Sequence, residues 1–258
     1  MRVYFEKPRT TTGWKGLIND PNLNNYFDVN YGLKLARKLL LYLNSIKLPC
    51  ACEFLDVITP QYIADLISWR AIGARTTESQ VHRQLVSGLS MPIGFKNGTK
   101  GSVDIARDAI ISASQKHCFM SITNEGEPAI STTIGNKYCH IIHRGGTYPN
   151  YQENFIQYTC KLFTESNLIP NIMVDCSHSN SKKNDKNQHI VFYDVISQMK
   201  NNLNIIGLML EPNINEGKQE LKYDNTNHIN LQYGVSITDA CISFKETINL
   251  IDYAFLNI

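Results

Sequence analysis

The chain lacks a hydrophobic run long enough to cross a membrane. Its longest apolar stretches, such as 205–210, are far shorter than the ~20 residues that a membrane-spanning helix needs. No positively charged and then apolar signal segment opens the chain, so we expect a cytosolic protein. The chain also lacks an excess of either charge, with 25 basic and 23 acidic residues among 258, and its basic residues are scattered. We therefore expect neither a nucleic acid nor a membrane as a partner.

Common metal and nucleophile motifs are absent as well. The seven cysteines are an odd number, and Cys50 and Cys52 are the only close pair, so we interpret them as buried reduced thiols. The chain contains no His-Glu-x-x-His, no Cys-x-x-Cys and no Gly-x-Ser-x-Gly elbow, although spacing alone leaves Ser-His-Asp catalysis open. Asparagine is frequent, mostly in predicted loops and on helix surfaces, and we assign it no role.

Apolar runs of strand length alternate with longer segments of helical periodicity. The predicted strands are 2–6, 51–56, 71–75, 92–96, 140–144, 171–178 and 204–211. The predicted helices include 31–46, 61–69, 80–89, 103–111, 151–163 and 190–199. This alternation is typical of a parallel sheet covered by helices, and it fits both an open doubly wound sheet and a closed barrel.

The ends of the predicted strands favour the barrel. Nearly every strand ends in charged or metal-capable side chains, namely Glu6 and Lys7, Glu53 and Asp56, Arg75, Lys96, Arg144, Asp175 and His178, and Glu211. In a barrel the carboxyl ends of all strands meet at one mouth, whereas an open sheet separates the outer strands. We therefore predict a single α/β barrel domain over 1–258, with an inserted β-hairpin formed by 117–123 and 129–134.

Several cations lie within or just after the predicted strands, where a buried charge is costly unless it is paired. Arg9, Arg75 and Arg144 have hydroxyl or glycine neighbours, which suits the binding of phosphate oxygens. The whole set is Arg2, Lys7, Arg9, Arg75, Lys96 and Arg144. Each cation taken alone is also explained by an ion pair with an acidic side chain, without any bound anion. Together they predict a site for two phosphorylated or carboxylated substrates.

A second set of residues is suited to a metal ion. His178 and Glu211 end two predicted strands, and Asp239 lies in a short motif near the carboxyl end of the chain. One imidazole with two carboxylates suits a divalent first-row ion or a hard cation. Each residue taken alone is also explained as a polar side chain that has hydrogen-bond partners at a strand end, without a metal ion. The set predicts a divalent metal site without distinguishing Mn, Fe, Co and Zn.

Six segments of the chain carry a family resemblance. They are 2–11 (RVYFEKPRTT), 73–79 (GARTTES), 94–99 (GFKNGT), 140–146, 175–178 and 234–239. These segments resemble the class I 3-deoxy-D-arabino-heptulosonate 7-phosphate synthases, and the match runs nearly end to end. The resemblance implies a (β/α)8 barrel with a divalent metal. It also implies the condensation of phosphoenolpyruvate with erythrose 4-phosphate and water, which releases phosphate and opens the shikimate pathway to aromatic amino acids.

The resemblance implies a role for each matching residue. Phosphoenolpyruvate is implied to bind Arg2, Lys7, Arg75, Lys96 and Arg144, with Lys7 at the reacting end. Arg9 and Thr10 are implied to hold the phosphate of erythrose 4-phosphate. The implied metal ligands are His178, Glu211 and Asp239, so that Lys7 and His178 are the implied catalytic residues. Glu53 is implied to orient the water that adds to the substrate.

Members of the family carry a further segment before the position of Met1. It includes the first barrel strand, a Gly-Pro-Cys motif whose cysteine is a fourth metal ligand, and an extension used in subunit contacts and feedback inhibition. We therefore expect an N-terminally incomplete barrel domain that lacks its first strand. Cys176, two residues before His178, is a candidate replacement for the thiolate, although we favour a packing role.

The resemblance is nearest to the tyrosine-sensitive branch of the family. It implies a homodimer or homotetramer, and it makes an aromatic amino acid effector a further expected partner. Two alternatives remain open at this point. One is a non-catalytic truncated barrel that binds phosphorylated ligands or acts as a regulatory subunit, and the other is an enzyme that uses a different aldose phosphate, such as arabinose 5-phosphate.

Overall fold

The computed structural model describes residues 1–123, 125–222 and 230–258, which form two compact units. The first unit consists of Met1–Lys96 and Ile105–Cys139, and the second of Asn97–Asp104 and His140–Ile258. Both units contain parallel strands that alternate with helices, so the predicted α/β class is confirmed. Within these described ranges, no helix combines the length and the apolar character needed to cross a membrane.

The first unit is built on three parallel strands in chain order. These are β1 (Ala51–Glu53), β2 (Trp69–Ile72) and β3 (Ile93–Lys96), with Cys52 opposite Arg70 and Arg70 opposite Ile93. The helices are α1 (Val29–Ser45), α2 (Pro60–Ile63), α3 (Gln80–Ser87) and α4 (Asp104–Ala113), whose first residue belongs to the second unit. A 3-10 turn at Ala64–Leu66 follows α2.

An antiparallel pair of strands follows α4. The two strands are β4 (Cys118–Ile122) and β5 (Pro128–Thr132), and their register runs from Cys118 opposite Thr132 to Ile122 opposite Pro128. They occupy the segment for which we predicted an inserted hairpin. Residue 124, in the connection between them, lies outside the described residues.

The second unit repeats the parallel arrangement. Its adjacent strands are β6 (Cys139–His143), whose first residue belongs to the first unit, β7 (Ile172–Asp175) and β8 (Ile205–Met209). The helices are α5 (Glu153–Glu165), α6 (Gln188–Met199), which a 3-10 turn at Asp185–Asn187 precedes, and α7 (Phe244–Asn257). A short parallel pair of strands, β9 (Pro212–Asn213) and β10 (Ile242–Ser243), completes the unit.

The predicted strand at 2–6 is wrong. Only Arg2 forms a bridge, to Ala51, and the chain bends at Phe5 and Glu6. The carbonyls of Tyr4 and Phe5 pair with a returning loop instead, and accept hydrogen bonds from the Leu17 N–H at 3.2 Å and the Ile18 N–H at 3.0 Å. Gly16 has a φ of 110°, and its missing Cβ lets this loop approach the Phe5 backbone.

Helix α1 covers the core of the first unit. The Asp28 carboxylate caps the helix by accepting a hydrogen bond from the Tyr31 N–H at 3.1 Å. Ala36 and Leu40, four residues apart, are buried on one face and join a cluster that includes Phe5. Because Phe5 is buried in this core, the backbone position of Glu6 and Lys7, which follow it, is fixed.

Strand β2 carries a charged side chain in this core. Arg70 is 0% exposed, and none of its three guanidinium nitrogens has a hydrogen-bond partner among the described residues. The guanidinium lies over the Phe54 ring, 3.4 Å from its centroid, and burial lowers the pKa of Arg70 to about 10. A buried cation without hydrogen bonds is costly, so a cation–π contact alone leaves this position destabilised.

We expect the substitution Arg70→Met to raise the free energy of unfolding by about 1 to 3 kcal/mol, because an apolar side chain of similar length carries no desolvation cost. Urea denaturation followed by circular dichroism measures the change. Arg37→Met is the matched control, because Arg37 lies at the surface in an ion pair with Asp65 at 2.8 Å and contributes little. A less stable Arg70→Met variant would contradict the prediction.

Candidate active site

Two of the predicted phosphate-binding cations in the first unit pack against one aromatic ring. The Lys7 Nζ lies 4.0 Å from the centroid of the Tyr4 ring, and the Arg2 Cζ lies 5.1 Å from the same centroid. Lys7 is buried, with 7% of its surface exposed. The negative face of an aromatic ring attracts a cation, so Tyr4 holds both side chains in place. Sequence reasoning gave Tyr4 no role.

Arg2 also pairs with the predicted water-orienting residue. Its Nη2 lies 2.6 Å from a carboxylate oxygen of Glu53, the last residue of β1, and the Glu53 side chain is buried. The backbone after β2 approaches closely, since a Cβ at Gly73 would collide with the Glu53 carboxylate. The glycine of the GARTTES segment therefore makes room for a buried ion pair.

The GARTTES segment is joined to the end of β3. The buried Thr77 hydroxyl lies 2.9 Å from the Lys96 carbonyl and 3.0 Å from the Gly73 carbonyl. Lys96 is the last residue of β3 and is buried, whereas Arg75, at the tip of the turn after β2, is exposed. Arg75 is therefore exposed to solvent on a turn whose backbone is held by the contacts of Thr77 with Gly73 and Lys96.

The predicted ligands of the second phosphate lie in the loop that follows Lys7. Arg9 and Thr10 are both exposed. The Arg9 guanidinium lies against Gly13, which has a φ of 138° and leaves no space for a side chain at this point. The loop therefore closes on itself and leaves the polar groups of Arg9 and Thr10 accessible.

The second unit brings the three predicted metal ligands together. His178, Glu211 and Asp239 each offer one ligand atom, and these atoms lie within 4.8 Å of one another. The His178 Nε2 is 3.9 Å from the Glu211 Oε1. Glu211 is buried, His178 half-buried and Asp239 exposed, so the cluster is open to solvent on one side. An imidazole nitrogen and two carboxylate oxygens form a suitable donor set for a divalent cation.

His178 adopts a backbone conformation that non-glycine residues rarely occupy. Its φ is 51°, and its carbonyl accepts hydrogen bonds from the Lys183 N–H at 2.7 Å and the Ser181 hydroxyl at 3.2 Å. The Asp175 carboxylate lies 2.9 Å from the His178 Nδ1, which leaves Nε2 for the metal cluster. Left-handed backbone costs about 1 kcal/mol or more, and it is typical of functional positions.

Glu211 is fixed by two residues that sequence reasoning missed. The Ser177 hydroxyl donates a hydrogen bond to the Glu211 Oε2 at 2.9 Å. The Gln188 side chain accepts from the Glu211 N–H at 2.9 Å and donates to the Glu211 carbonyl at 3.2 Å. Ser177 could have been suspected from the sequence because it lies directly before His178. Nothing in the sequence indicates the role of Gln188.

Asparagine side chains hold the loop that carries Arg144. Asn97 and Asn150 are buried, and the Asn150 amide donates to the Asn97 Oδ1 at 3.2 Å. The same Asn97 oxygen accepts from the Arg144 N–H at 2.8 Å, and the Asn150 oxygen accepts from the Gly145 N–H at 2.8 Å. The half-buried Arg144 therefore projects from a fixed backbone.

A third buried asparagine joins this loop to the segment before the metal cluster. The Asn180 amide donates to the carbonyls of His143 at 3.1 Å and Asp175 at 2.9 Å, and its oxygen accepts from the Asn150 N–H at 2.9 Å. Our assignment of no role to asparagine is wrong for these residues. An amide donates and accepts at once, which suits a place where two strand ends leave unpaired backbone groups.

Cys176 is fully buried between Asp175 and Ser177. Burial raises the pKa of its thiol well above the ordinary range, and the negative charge of Asp175 adds to this rise. A metal-binding cysteine has to lose its proton, which this environment opposes. The metal-capable cluster found among the described residues does not include Cys176.

Comparisons with known proteins place the chain in one family. The model of the DAHP synthetase I family matches residues 1–251. The Phe-sensitive phospho-2-dehydro-3-deoxyheptonate aldolase of Escherichia coli K12 is 54% identical over 248 residues, which are 96% of this chain and 70% of that protein. The Tyr-sensitive enzyme of the same organism is 53% identical over 96% of this chain and 69% of its own length.

A solved structure gives the same result for the fold. The phospho-2-dehydro-3-deoxyheptonate aldolase of Francisella tularensis SCHU S4 superposes with a TM-score of 0.94 at 48% identity, covering 100% of this chain and 74% of that one. This likeness is consistent with the predicted α/β barrel. The chain belongs to the DAHP synthetase I family.

Proposed function

We propose that this chain catalyses the condensation of phosphoenolpyruvate with erythrose 4-phosphate and water, which yields 3-deoxy-D-arabino-heptulosonate 7-phosphate and phosphate. It is an enzyme of the 3-deoxy-7-phosphoheptulonate synthase type, and this reaction is the first step of the shikimate pathway. The observation that carries the proposal is that the three predicted metal ligands meet within 4.8 Å in a member of this family. The non-catalytic alternative is not favoured, since relatives named as aldolases match 96% of the chain.

Phosphoenolpyruvate carries a phosphate and a carboxylate and therefore requires several cations. We assign it to Arg2, Lys7, Arg75, Lys96 and Arg144. Lys7 is held against Tyr4, which supports its assignment to the reacting end of the substrate. Arg75 projects from a fixed turn, and a guanidinium on rigid backbone binds a phosphate with little loss of conformational freedom.

The second substrate needs a phosphate site and an activated carbonyl. We assign the phosphate of erythrose 4-phosphate to Arg9 and Thr10, which are exposed in the loop after Lys7. Glu53 is assigned to the water that adds at the second carbon of phosphoenolpyruvate. Its carboxylate is held by Arg2 at 2.6 Å, which fixes its orientation for a hydrogen bond with that water.

A divalent cation held by His178, Glu211 and Asp239 supplies Lewis-acid polarisation of the aldehyde of erythrose 4-phosphate. The donor set fits such an ion, and each of the two less exposed ligands has a fixed neighbour, Asp175 for His178 and Ser177 for Glu211. These residues do not distinguish among Mn, Fe, Co and Zn, which all accept nitrogen and oxygen ligands.

The proposal also includes an eight-stranded (β/α) barrel as the frame of the site, a homodimeric or homotetrameric state, and an aromatic amino acid effector. The names of two relatives, Phe-sensitive and Tyr-sensitive, support the effector. Their identities to this chain differ by one percentage point, so sequence identity alone does not select between the two amino acids.

We expect the purified chain to release phosphate from phosphoenolpyruvate only when erythrose 4-phosphate and a divalent cation are both present. Treatment with a chelator should reduce the rate to background, and re-addition of Mn²⁺ should restore it, because the three ligands bind reversibly. A phosphate-release assay measures both effects. Turnover with arabinose 5-phosphate but not with erythrose 4-phosphate would show that the enzyme uses a different aldose phosphate from the one proposed. The absence of turnover with either sugar phosphate would favour the non-catalytic alternative.

The substitution Arg75→Ala should raise the KM for phosphoenolpyruvate about 10- to 100-fold, because one charge-assisted hydrogen bond to phosphate is lost. Arg75 is exposed, so the variant should fold normally. Steady-state kinetics with the second substrate saturating measures the change. Arg37→Ala is the matched control, an exposed arginine of the same unit with no assigned ligand, and an equal KM in both variants would count against the assignment.

The substitution Ser177→Ala should weaken binding of a divalent cation about tenfold, because the Glu211 carboxylate loses the donor that orients it. Titration of the metal-free protein with Mn²⁺ in a calorimeter measures this affinity without any substrate. Ser166→Ala is the control, since the Ser166 hydroxyl donates to the Leu162 carbonyl at 2.8 Å, at the end of α5 in the same unit. Unchanged affinity in the Ser177 variant would contradict the prediction.

A further inference from the structure

A buried carboxylate precedes the substrate-binding segment of the first unit. Glu6 is 5% exposed and lies directly before Lys7. One of its oxygens accepts hydrogen bonds from the Asp56 N–H at 3.1 Å and the Thr59 hydroxyl at 3.2 Å. The other oxygen accepts from the Leu55 N–H at 3.3 Å. All three donors belong to 55–59, the loop between β1 and α2, so this one side chain joins that loop to the segment that carries Lys7.

The other side of this segment is held by backbone hydrogen bonds. The Lys7 N–H donates to the Lys15 carbonyl at 2.8 Å, and the Ile18 N–H donates to the Phe5 carbonyl at 3.0 Å. Phe5 itself is buried in the core under α1. The segment is thus fixed by 15–18 on one side and by Glu6 on the other, and Glu6 connects it to 55–59 through three hydrogen bonds.

Stability alone does not favour a glutamate at this position. Burial raises the pKa of Glu6 to about 7, against an ordinary 4.5, and the three hydrogen bonds only partly oppose this shift. The charged and titratable groups that face it are Asp56 from the loop, Arg70 from β2 and Cys52 from β1. The folded state therefore takes up a proton between the two pKa values, and stability is lost as the pH rises from about 4.5 to about 7.

We propose that Glu6 is a positioning residue, whose ionised carboxylate fixes Arg9 and Thr10 for the aldose phosphate by joining their segment to the loop at 55–59. This inference rests on the proposed function. A carboxylate accepts hydrogen bonds at both oxygens more strongly than a neutral amide accepts at one. The loop and the segment are therefore held most tightly when Glu6 is ionised, and the cost in folding stability accompanies a more rigid binding segment.

The test compares Glu6→Gln with the wild type across pH. The KM for erythrose 4-phosphate should rise about tenfold in Glu6→Gln above pH ~7.5, because a charge-assisted hydrogen bond is lost. The ratio of the two KM values should fall towards one below pH ~6, where protonated Glu6 resembles glutamine. Taking the ratio removes the ionisation of the substrate phosphate, which occurs at a pKa near 6.

Two further measurements separate positioning from a general loss of structure. In urea denaturation above pH ~7.5, Glu6→Gln should be at least as stable as the wild type, because it buries no charge. In hydrogen exchange, the amides of Leu55 and Asp56 should exchange faster in the variant. The matched control is Glu127→Gln, the same change at an exposed glutamate of the same unit, which should alter none of these quantities.

The outcomes are distinct. A raised KM with unreduced stability, confined to the pH range in which Glu6 is ionised, supports the inference. An active wild type with an unchanged KM in Glu6→Gln overturns the inference and leaves the proposed function intact. A raised KM that accompanies a matching loss of stability at every pH assigns Glu6 a structural role and also overturns it. A wild type that is inactive with erythrose 4-phosphate overturns both.

Discussion

Buried charged side chains need fixed partners, and this constraint applies in both units of the protein. Glu53 at the end of β1 lies against Arg2, and Glu211 after β8 lies against Ser177. Glu6 accepts hydrogen bonds from three donors of one loop. An uncompensated buried charge costs several kcal/mol, so each of these side chains is held in a single arrangement. The same interactions that compensate burial therefore also orient the groups to which we assign a role.

Two of the arginines with proposed roles are exposed and lie on segments held by buried residues. The side chains assigned to substrate phosphates include Arg9 and Arg75, which are exposed, whereas the residues that hold their segments are buried. Asn97 and Asn150 support Arg144 in the same way in the second unit. Rigid support reduces the entropy that binding would otherwise cost, because the loops are already ordered before a ligand arrives. Arg70 is the exception, since its buried guanidinium has no hydrogen-bond partner among the described residues and no assigned ligand.

The periodicity of the sequence predicted most of the helices and strands, since the apolar spacing of each element reflects the face that it buries. It failed at 2–6, where β-prone residues pair with a returning loop and form only one bridge to β1. Local propensity does not show that Tyr4 pairs with Leu17, thirteen residues away. The cations and the metal-capable set were found because lysine, arginine and histidine are unusual at strand ends. The residues that orient them were missed, because serine, glutamine and asparagine are ordinary in loops.

Residue type and spacing were sufficient to predict the α/β class and the family, and to propose the charged side chains of the site. These follow from residue type and spacing, which are local properties of the chain. Tertiary structure alone decided that Asn180 bridges two strand ends, that Ser177 meets Glu211, and that Glu6 joins Lys7 to the loop after β1. The contacts of Asn180 with His143, Ser177 with Glu211 and Glu6 with Asp56 connect residues 37, 34 and 50 positions apart, and a hydrogen bond across such a distance exists only once the chain has folded. The sequence therefore predicted which side chains carry the proposed chemistry, but it did not predict which residues hold them in position.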